Sequence, residues 1–128
     1  MKITEIKSYP VKGRHWPRFP MIFIEVYTDA GVVGAGEALA FQATGVLESV
    51  AQIGDWLVGE DPLQIERLWE QCFRRGAGMA ALSGLEIALW DIAGQVAGLP
   101  IYQLLGGACH DRVPVYADGF FRGADPTP

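Results

Sequence analysis

The spacing of apolar residues changes once along the chain, near residue 43, and that change constrains the fold more than any other feature. Before it, short β-branched and aromatic segments are separated by turn residues, which is typical of strands. After it, apolar residues recur every three or four positions, as they do on one face of a helix. Strands followed by helices predict an α+β fold.

Three segments within the first forty residues are predicted to form an antiparallel β-meander. Residues 3–11 are the weakest of them, because their apolar residues do not alternate cleanly. Residues 21–28 (MIFIEVYT) are apolar on both sides, as expected of a strand covered on both faces. A tight turn at Asp29-Ala30-Gly31 then leads into a third strand over residues 32–38.

Two helices are predicted next from their boundary residues and apolar faces. Thr44 is the expected N-cap of the first helix and Gly59 its stop. The second helix is expected to open at Asp61-Pro62, a capping acid followed by proline at the first helical position, with Gln64 three residues after the cap. The apolar faces are Val46, Val50, Ile53 and Leu57 in the first helix, and Ile65, Leu68, Trp69 and Cys72 in the second.

The third helix carries the most regular apolar stripe, which makes it the expected spine of the core at roughly 1.5–3 kcal/mol per fully buried large side chain. Gly98 and Pro100 end this helix, and Gly106-Gly107 stops a short helical turn over residues 100–105. Residues 113–117 (VPVYA) then return to a strand pattern without an evident partner. The stripe consists of Leu82, Leu85, Leu89, Ile92 and Val96.

Composition excludes several classes of protein. The chain has 128 residues, of which half are hydrophobic and a fifth charged, so a single domain with a sizeable core is expected. A net charge of −5 argues against nucleic-acid binding. No uninterrupted apolar run predicts a membrane span, the charged start does not resemble a signal peptide, and two cysteines make no disulfide framework. A reduced, cytoplasmic protein is expected.

Most residues that could carry chemistry have a structural interpretation. Glycines 31, 34 and 36 invite a nucleotide-binding interpretation, but Leu39 stands where a small residue is needed, so a turn and strand are favoured. Neither His15 nor His110 stands at metal-ligand spacing from a cysteine or an acid pair, and His110, between Cys109 and Asp111, is expected in a surface connector. Asp91 does not converge with Glu86, and is expected to bond to backbone or to an arginine.

One connection stands out against the acidic whole. Residues 12–20 (KGRHWPRFP) contain three cations, a histidine and two aromatic residues, and are long for a link between strands. Such a loop could cover a site for an anionic, hydroxyl-rich ligand, because arginine pairs with a carboxylate in a fork and aromatic rings exclude water. A solvated surface loop explains the same residues equally well.

The third helix and the segments after it resemble a known family. Residues 83–94 (SGLEIALWDIAG), 98–100 (GLP), 104–107 (LLGG) and 113–117 are similar, in order and spacing, to the mandelate racemase/muconate lactonizing enzyme branch of the enolase superfamily. Upstream, the turn at residues 29–31 and the segment 34–38 (GAGEA) resemble that family's third strand. Gln95 and Glu86 depart from the common lysine and aspartate, at positions that do not perform the chemistry.

The resemblance implies an N-terminal capping domain over residues 1–112, with three strands and a helical bundle, and the start of a (β/α) barrel over residues 113–128. A barrel needs about 250 residues, so most of it would lie outside this chain. Enzymes of the family remove the proton α to a carboxylate, with Mg²⁺ stabilising the ene-diolate. Because their bases and metal ligands stand on barrel strands, the resemblance assigns neither to this chain, which is expected to be inactive alone.

The resemblance also implies a role in specificity, since two cap loops close over the barrel mouth, here residues 12–20 and about 39–44. The cationic first loop favours a sugar acid and hence a Mg²⁺-dependent acid-sugar dehydratase, which expels the β-hydroxyl as water. A racemase, epimerase or cycloisomerase of the same family, or a stand-alone non-catalytic cap, are the alternatives. The implied partners are the sugar acid, the barrel of the same protein and further copies in a homo-oligomer, without nucleic acid or membrane. The candidate substrate-binding residues are Arg14, His15, Trp16, Arg18, Phe41, Gln42 and Asp118, of which Asp118 is equally well explained as a turn acid at the end of a strand.

Overall fold

The computed structural model describes residues 1–11, 21–39 and 43–116, and confirms the α+β fold. The three strands form one antiparallel sheet in the order β1-β2-β3, and the helices follow it in sequence. The elements are β1 (Ile3–Val11), β2 (Met21–Thr28), β3 (Val33–Leu39), α1 (Ala43–Leu57), α2 (Ile65–Arg74), α3 (Met79–Ala97) and α4 (Ile101–Leu104).

The core lies between one face of the sheet and the helices. Alternate residues of the central strand, Ile22, Ile24 and Val26, are fully buried against it. The other face of this strand is open, with Phe23 40% exposed, so the expectation that β2 is covered on both faces is wrong for the part of the chain described here. No described helix packs on this outer face of the sheet, although it carries the apolar side chains of Met21 and Phe23.

Helix α3 packs directly on the backbone of β3, because glycines remove the side chains that would separate them. A Cβ atom at Gly36 would lie 2.0 Å from the carbonyl oxygen of Gly84, and one at Gly34 would lie 2.1 Å from that of Ala88. Gly31 supplies the positive φ, 77°, in the turn before β3. The turn-and-strand interpretation of this glycine cluster is therefore confirmed, and close helix–sheet contact explains Gly34 and Gly36.

The side chain of Asp91 closes part of the free edge of β3. Its Oδ2 atom accepts a hydrogen bond of 2.8 Å from the backbone N–H of Ala35, and Gln95, one turn further along α3, donates to the carbonyl oxygen of Val33 at 2.7 Å. The same Gln95 amide also donates to Asp91 at 3.2 Å. The prediction that Asp91 bonds to backbone is confirmed, and the pair replaces a neighbouring strand at this point.

Two predicted helix starts are wrong. Thr44 is the second residue of α1 and not its N-cap, because the preceding Ala43, a strong helix former, already belongs to the helix. Asp61-Pro62 forms a turn before α2 and does not begin the helix. The Asp61 carboxylate accepts the N–H of Leu63 at 3.1 Å, which makes an Asx-type turn, and α2 starts only after Gln64.

The C-terminal part of the helical region follows the prediction with two exceptions. Gly98 ends α3 in the left-handed conformation, φ 66°, as predicted. Val96, expected in the buried stripe, is 50% exposed, because it lines an open groove between α3, the residues at the start of α2, and Leu104 of α4. Residues 113–116, predicted to begin a strand, are exposed and pair with no strand of the described residues. A strand forms only where a neighbouring segment supplies the backbone hydrogen bonds. Ala117 lies outside the described residues.

Candidate functional site

The two connections singled out in the sequence leave the sheet from the same end. Val11, the last residue of β1, pairs with Met21, and Met21 pairs with Leu39, the last residue of β3. Residues 12–20 therefore begin and end on neighbouring strands, and residues 40–42 begin one strand away. Adjacent strands are separated by about 4.7–4.9 Å, so both connections start within a short distance of one another.

Helix α3 begins at this same end of the sheet. Gly84 lies against Ala38, near the end of β3, whereas Ala88 and Ile92 lie against Gly34, near its start. Because α3 thus runs opposite to β3, its first residues lie at the end of the sheet formed by Val11, Met21 and Leu39. The hydroxyl oxygen of Ser49 in α1 accepts the N–H of Gly78 at 2.9 Å, which ties α1 to the start of α3.

The predicted substrate-binding residues lie outside the described part of the chain. The structure gives the strand and helix ends between which the two loops lie. Residues 12–20 lie between β1 and β2, as predicted. The second connection is shorter than the predicted 39–44, because β3 includes Leu39 and α1 begins at Ala43. Arg14, His15, Trp16, Arg18, Phe41, Gln42 and Asp118 remain predictions.

The polar groups on the outer face of the sheet are engaged with one another. Lys7 forms an ion pair of 3.0 Å with Glu5 and lies 4.6 Å from the centre of the Tyr27 ring. The Tyr27 hydroxyl donates to Glu25, and this hydrogen bond raises the pKa of Tyr27 above its usual range. These groups are partnered without a ligand and do not form a second candidate site.

The remaining nucleophilic and metal-binding side chains do not converge. Cys72 is buried, and burial raises the pKa of its thiol, which disfavours the reactive thiolate. His110 is exposed in the connector after α4, as predicted. Across residues 1–11, 21–39 and 43–116, no three His, Cys, Asp or Glu side chains are grouped so that they could hold a metal ion. None of the helices in these ranges is long and apolar enough to span a membrane.

Comparison with known proteins identifies this arrangement. Residues 14–106 match the family model for the N-terminal domain of mandelate racemase and muconate lactonizing enzyme. The chain belongs to this family. The match includes helices α1 to α4 and the whole of the first connection apart from its first two residues.

Relatives of this mandelate racemase/muconate lactonizing enzyme domain include acid-sugar dehydratases. The chain is 41% identical to D-xylonate dehydratase of Haloferax volcanii and 39% identical to D-galactonate dehydratase of Pectobacterium atrosepticum, with 91% of the chain aligned in each case. It spans only 29% and 31% of these two proteins, so about 70% of each relative has no counterpart in the sequence.

Solved structures share the fold. A candidate dehydratase from Mesorhizobium loti superposes with a TM-score of 0.85 at 34% identity, covering 98% of this chain and 35% of that protein. A candidate mandelate racemase/muconate lactonizing enzyme from Roseovarius nubinhibens, solved in complex with magnesium, gives a TM-score of 0.73 at 31% identity, covering 90% of this chain and 35% of that protein. Members of the family therefore bind magnesium.

Proposed function

We propose that this chain is the capping domain of a Mg²⁺-dependent acid-sugar dehydratase that acts in the cytoplasm. The parent enzyme removes the proton from the carbon next to the carboxylate of a sugar acid, and the hydroxyl group on the following carbon leaves as water. The observation that carries the proposal is that the two connections leave the sheet at the same end, where Val11, Met21 and Leu39 are paired. The relatives of the chain include D-xylonate and D-galactonate dehydratases.

The described residues do not fit a magnesium site, because they contain no group of three potential ligands. No catalytic step is therefore assigned to them. The chain's own contribution is to bind and orient the substrate: the cations of residues 12–20 pair with the carboxylate, and the aromatic side chains of both loops exclude water from the reacting carbons. The rigid contact between α3 and β3 holds the attachment points of both loops in place.

The test uses the polypeptide encoded by the complete reading frame. We expect Arg14→Ala and Arg18→Ala each to lower kcat/KM for D-xylonate or D-galactonate by about tenfold, mainly through KM, because each removes a charge-assisted contact with the carboxylate. Lys7→Ala is the matched control: it removes a cation on β1 that is already paired with Glu5, and is expected to leave the kinetics unchanged. Unchanged kinetics in both arginine variants would reject the loop assignment.

The 128-residue chain alone is expected to turn over no sugar acid, with or without added Mg²⁺. Dehydration is measured by the appearance of a 2-keto product over a panel of aldonic and aldaric acids. Turnover by the isolated chain would contradict the assignment of the reacting groups to the remainder of the parent. A reading frame that encodes no such remainder would favour the stand-alone, non-catalytic cap.

A further inference from the structure

The turn between α2 and α3 has a locally determined geometry. Gly76 has a positive φ of 83°, and its N–H donates to the carbonyl oxygen of Phe73 at 3.0 Å. The N–H of Ala77 donates to the carbonyl oxygen of Cys72 at 3.1 Å. These two bonds form a Schellman motif, which ends a helix with a glycine in the left-handed conformation. Gly78 follows directly as the N-cap of α3, so the turn determines where its N–H lies.

A side chain of α1 accepts this N–H. The Oγ atom of Ser49 lies 2.9 Å from the nitrogen of Gly78, and a Cβ atom at Gly78 would lie 3.3 Å from the same Oγ. Val46 and Val50 bury the neighbouring side of α1 in the core, but apolar contact has no preferred direction. A hydrogen bond weakens steeply when its angle changes. The Ser49 bond therefore fixes α1 relative to the start of α3 more strictly than burial alone would.

Both ends of the second connection are held through these contacts. Leu39 ends β3, and the preceding Ala38 lies against α3, where a Cβ atom at Gly84 would be 3.0 Å from the nitrogen of Ala38. Ala43 begins α1, six residues before Ser49. The four peptide units that join Leu39 to Ala43 reach at most about 14 Å. Because so short a link has little slack, a shift of α1 is passed on to it.

We propose that Ser49 is a positioning residue for substrate binding. The proposal rests on the proposed function, which assigns Phe41 and Gln42 of the second connection to the substrate. Ser49 acts through its bond to Gly78, which sets the distance between Leu39 and the first turn of α1, and not by contact with the substrate. Loss of the bond weakens substrate binding and leaves the reacting groups of the parent unaffected.

Steady-state kinetics of the polypeptide encoded by the complete reading frame test the proposal. We expect Ser49→Ala to raise KM for D-xylonate or D-galactonate about fivefold while kcat changes less than about twofold, because the variant loses only binding. Ser49→Thr keeps the hydroxyl group and is expected to restore KM. Gln52→Ala, at an exposed position three residues further along α1, is the matched control and should leave both constants unchanged. A Ser49→Ala parent with a lower Tm and an unchanged KM would overturn the proposal, since the bond would then be only structural.

A distance measurement separates this proposal from the proposed function. Nitroxide labels at Leu39→Cys and Thr44→Cys, both exposed positions, report the separation of the two ends by EPR spectroscopy in the 128-residue chain. Cys109→Ser removes the exposed native thiol, and Cys72 is buried. We expect Ser49→Ala to broaden the distance distribution and Ser49→Thr to preserve it.

The two readouts together distinguish the possible failures. A distribution that broadens in Ser49→Ala, with an unsubstituted parent that dehydrates no sugar acid, would reject the proposed function and keep the role of Ser49 in placing the two ends. A parent that dehydrates sugar acids, with the same KM and the same distance distribution in Ser49→Ala, would reject the proposal for Ser49 and keep the proposed function.

Discussion

Gly36 occupies the tightest point of the molecule, where the backbone of β3 meets that of α3. We expect Gly36→Ala to lower the free energy of unfolding by about 3 kcal/mol, because the added methyl group meets a carbonyl oxygen that belongs to a rigid helix. Urea denaturation measures the change. Gly45→Ala is the control: nothing lies within 4 Å of its Cβ position in α1, and the substitution should raise stability by about 0.5–1 kcal/mol. Equal stability of the two variants would contradict the close packing of α3 on β3.

The sequence predicted individual residues well where a local rule decides their environment. Asp91 follows Trp90 beside an apolar stripe, and a half-buried acid in such a place needs a hydrogen-bond donor, which Ala35 provides. Val96 was assigned wrongly by the same kind of spacing, because periodicity identifies the side of a helix and not the point at which its neighbours end. The close approach at Gly36 is a property of two distant segments, and no local pattern specifies it.

At the scale of elements, the free edge of β3 is protected by side chains of α3. We expect Asp91→Ala to accelerate hydrogen exchange at the Ala35 amide by about tenfold. The substitution removes the acceptor of the Ala35 N–H, a hydrogen bond that contributes about 1–1.5 kcal/mol to protection of this amide. Asp91→Asn is the matched variant, because its side-chain oxygen still accepts the hydrogen bond. Protection of Ala35 that persists in Asp91→Ala would show that the edge is closed by something else.

The docking of α2 can be followed through its buried cysteine. Cys72 is fully buried and burial raises its pKa, whereas Cys109 is exposed after α4. We expect a thiol reagent at neutral pH to modify Cys109 within minutes and Cys72 only on unfolding. Cys109→Ser isolates the slow reaction, and Cys72→Ser the fast one. Rapid labelling of Cys72 in the folded Cys109→Ser variant would contradict the packing of α2.

Element types were predictable because the apolar period differs between strands and helices, and the limits of β1 and β2 agree with the sequence. Helix starts were not predictable, since Thr44 and Asp61 satisfy the same capping rule as true N-caps. Thr44 lies inside α1, and the Asp61 carboxylate closes a turn before α2. Residues 113–116 have the apolar pattern of a strand but pair with no strand in the described part of the chain. Strand formation depends on a neighbouring chain segment, which a local pattern does not specify.

The molecule as a whole leaves apolar surface exposed at its C-terminal side, where Val115 and Tyr116 make no strand pairing. We expect the isolated chain to associate as its concentration rises, because contiguous exposed apolar residues are unfavourable in water. Sedimentation velocity measures the effect. Replacing Val115 and Tyr116 by aspartate should reduce association, because it removes the two most exposed apolar side chains of the described residues. A chain that stays monomeric at high concentration would contradict this expectation.

Substrate choice could not be predicted at the same depth as the fold. The cationic composition of residues 12–20 indicates an anionic ligand, but the distance between a guanidinium group and a carboxylate depends on how the loop is placed over the reacting carbons. The chain also spans only 29% and 31% of the two dehydratases it matches.

The position of the connections at one end of the sheet, beyond Val11, Met21 and Leu39, has an evolutionary consequence. Insertions and replacements there change neither the buried side chains of β2 nor the glycine contacts beneath α3. Under the proposed function, substrate preference can therefore change through replacement of the residues in these two connections, while the sheet and helices that carry them vary under a separate selection for stability.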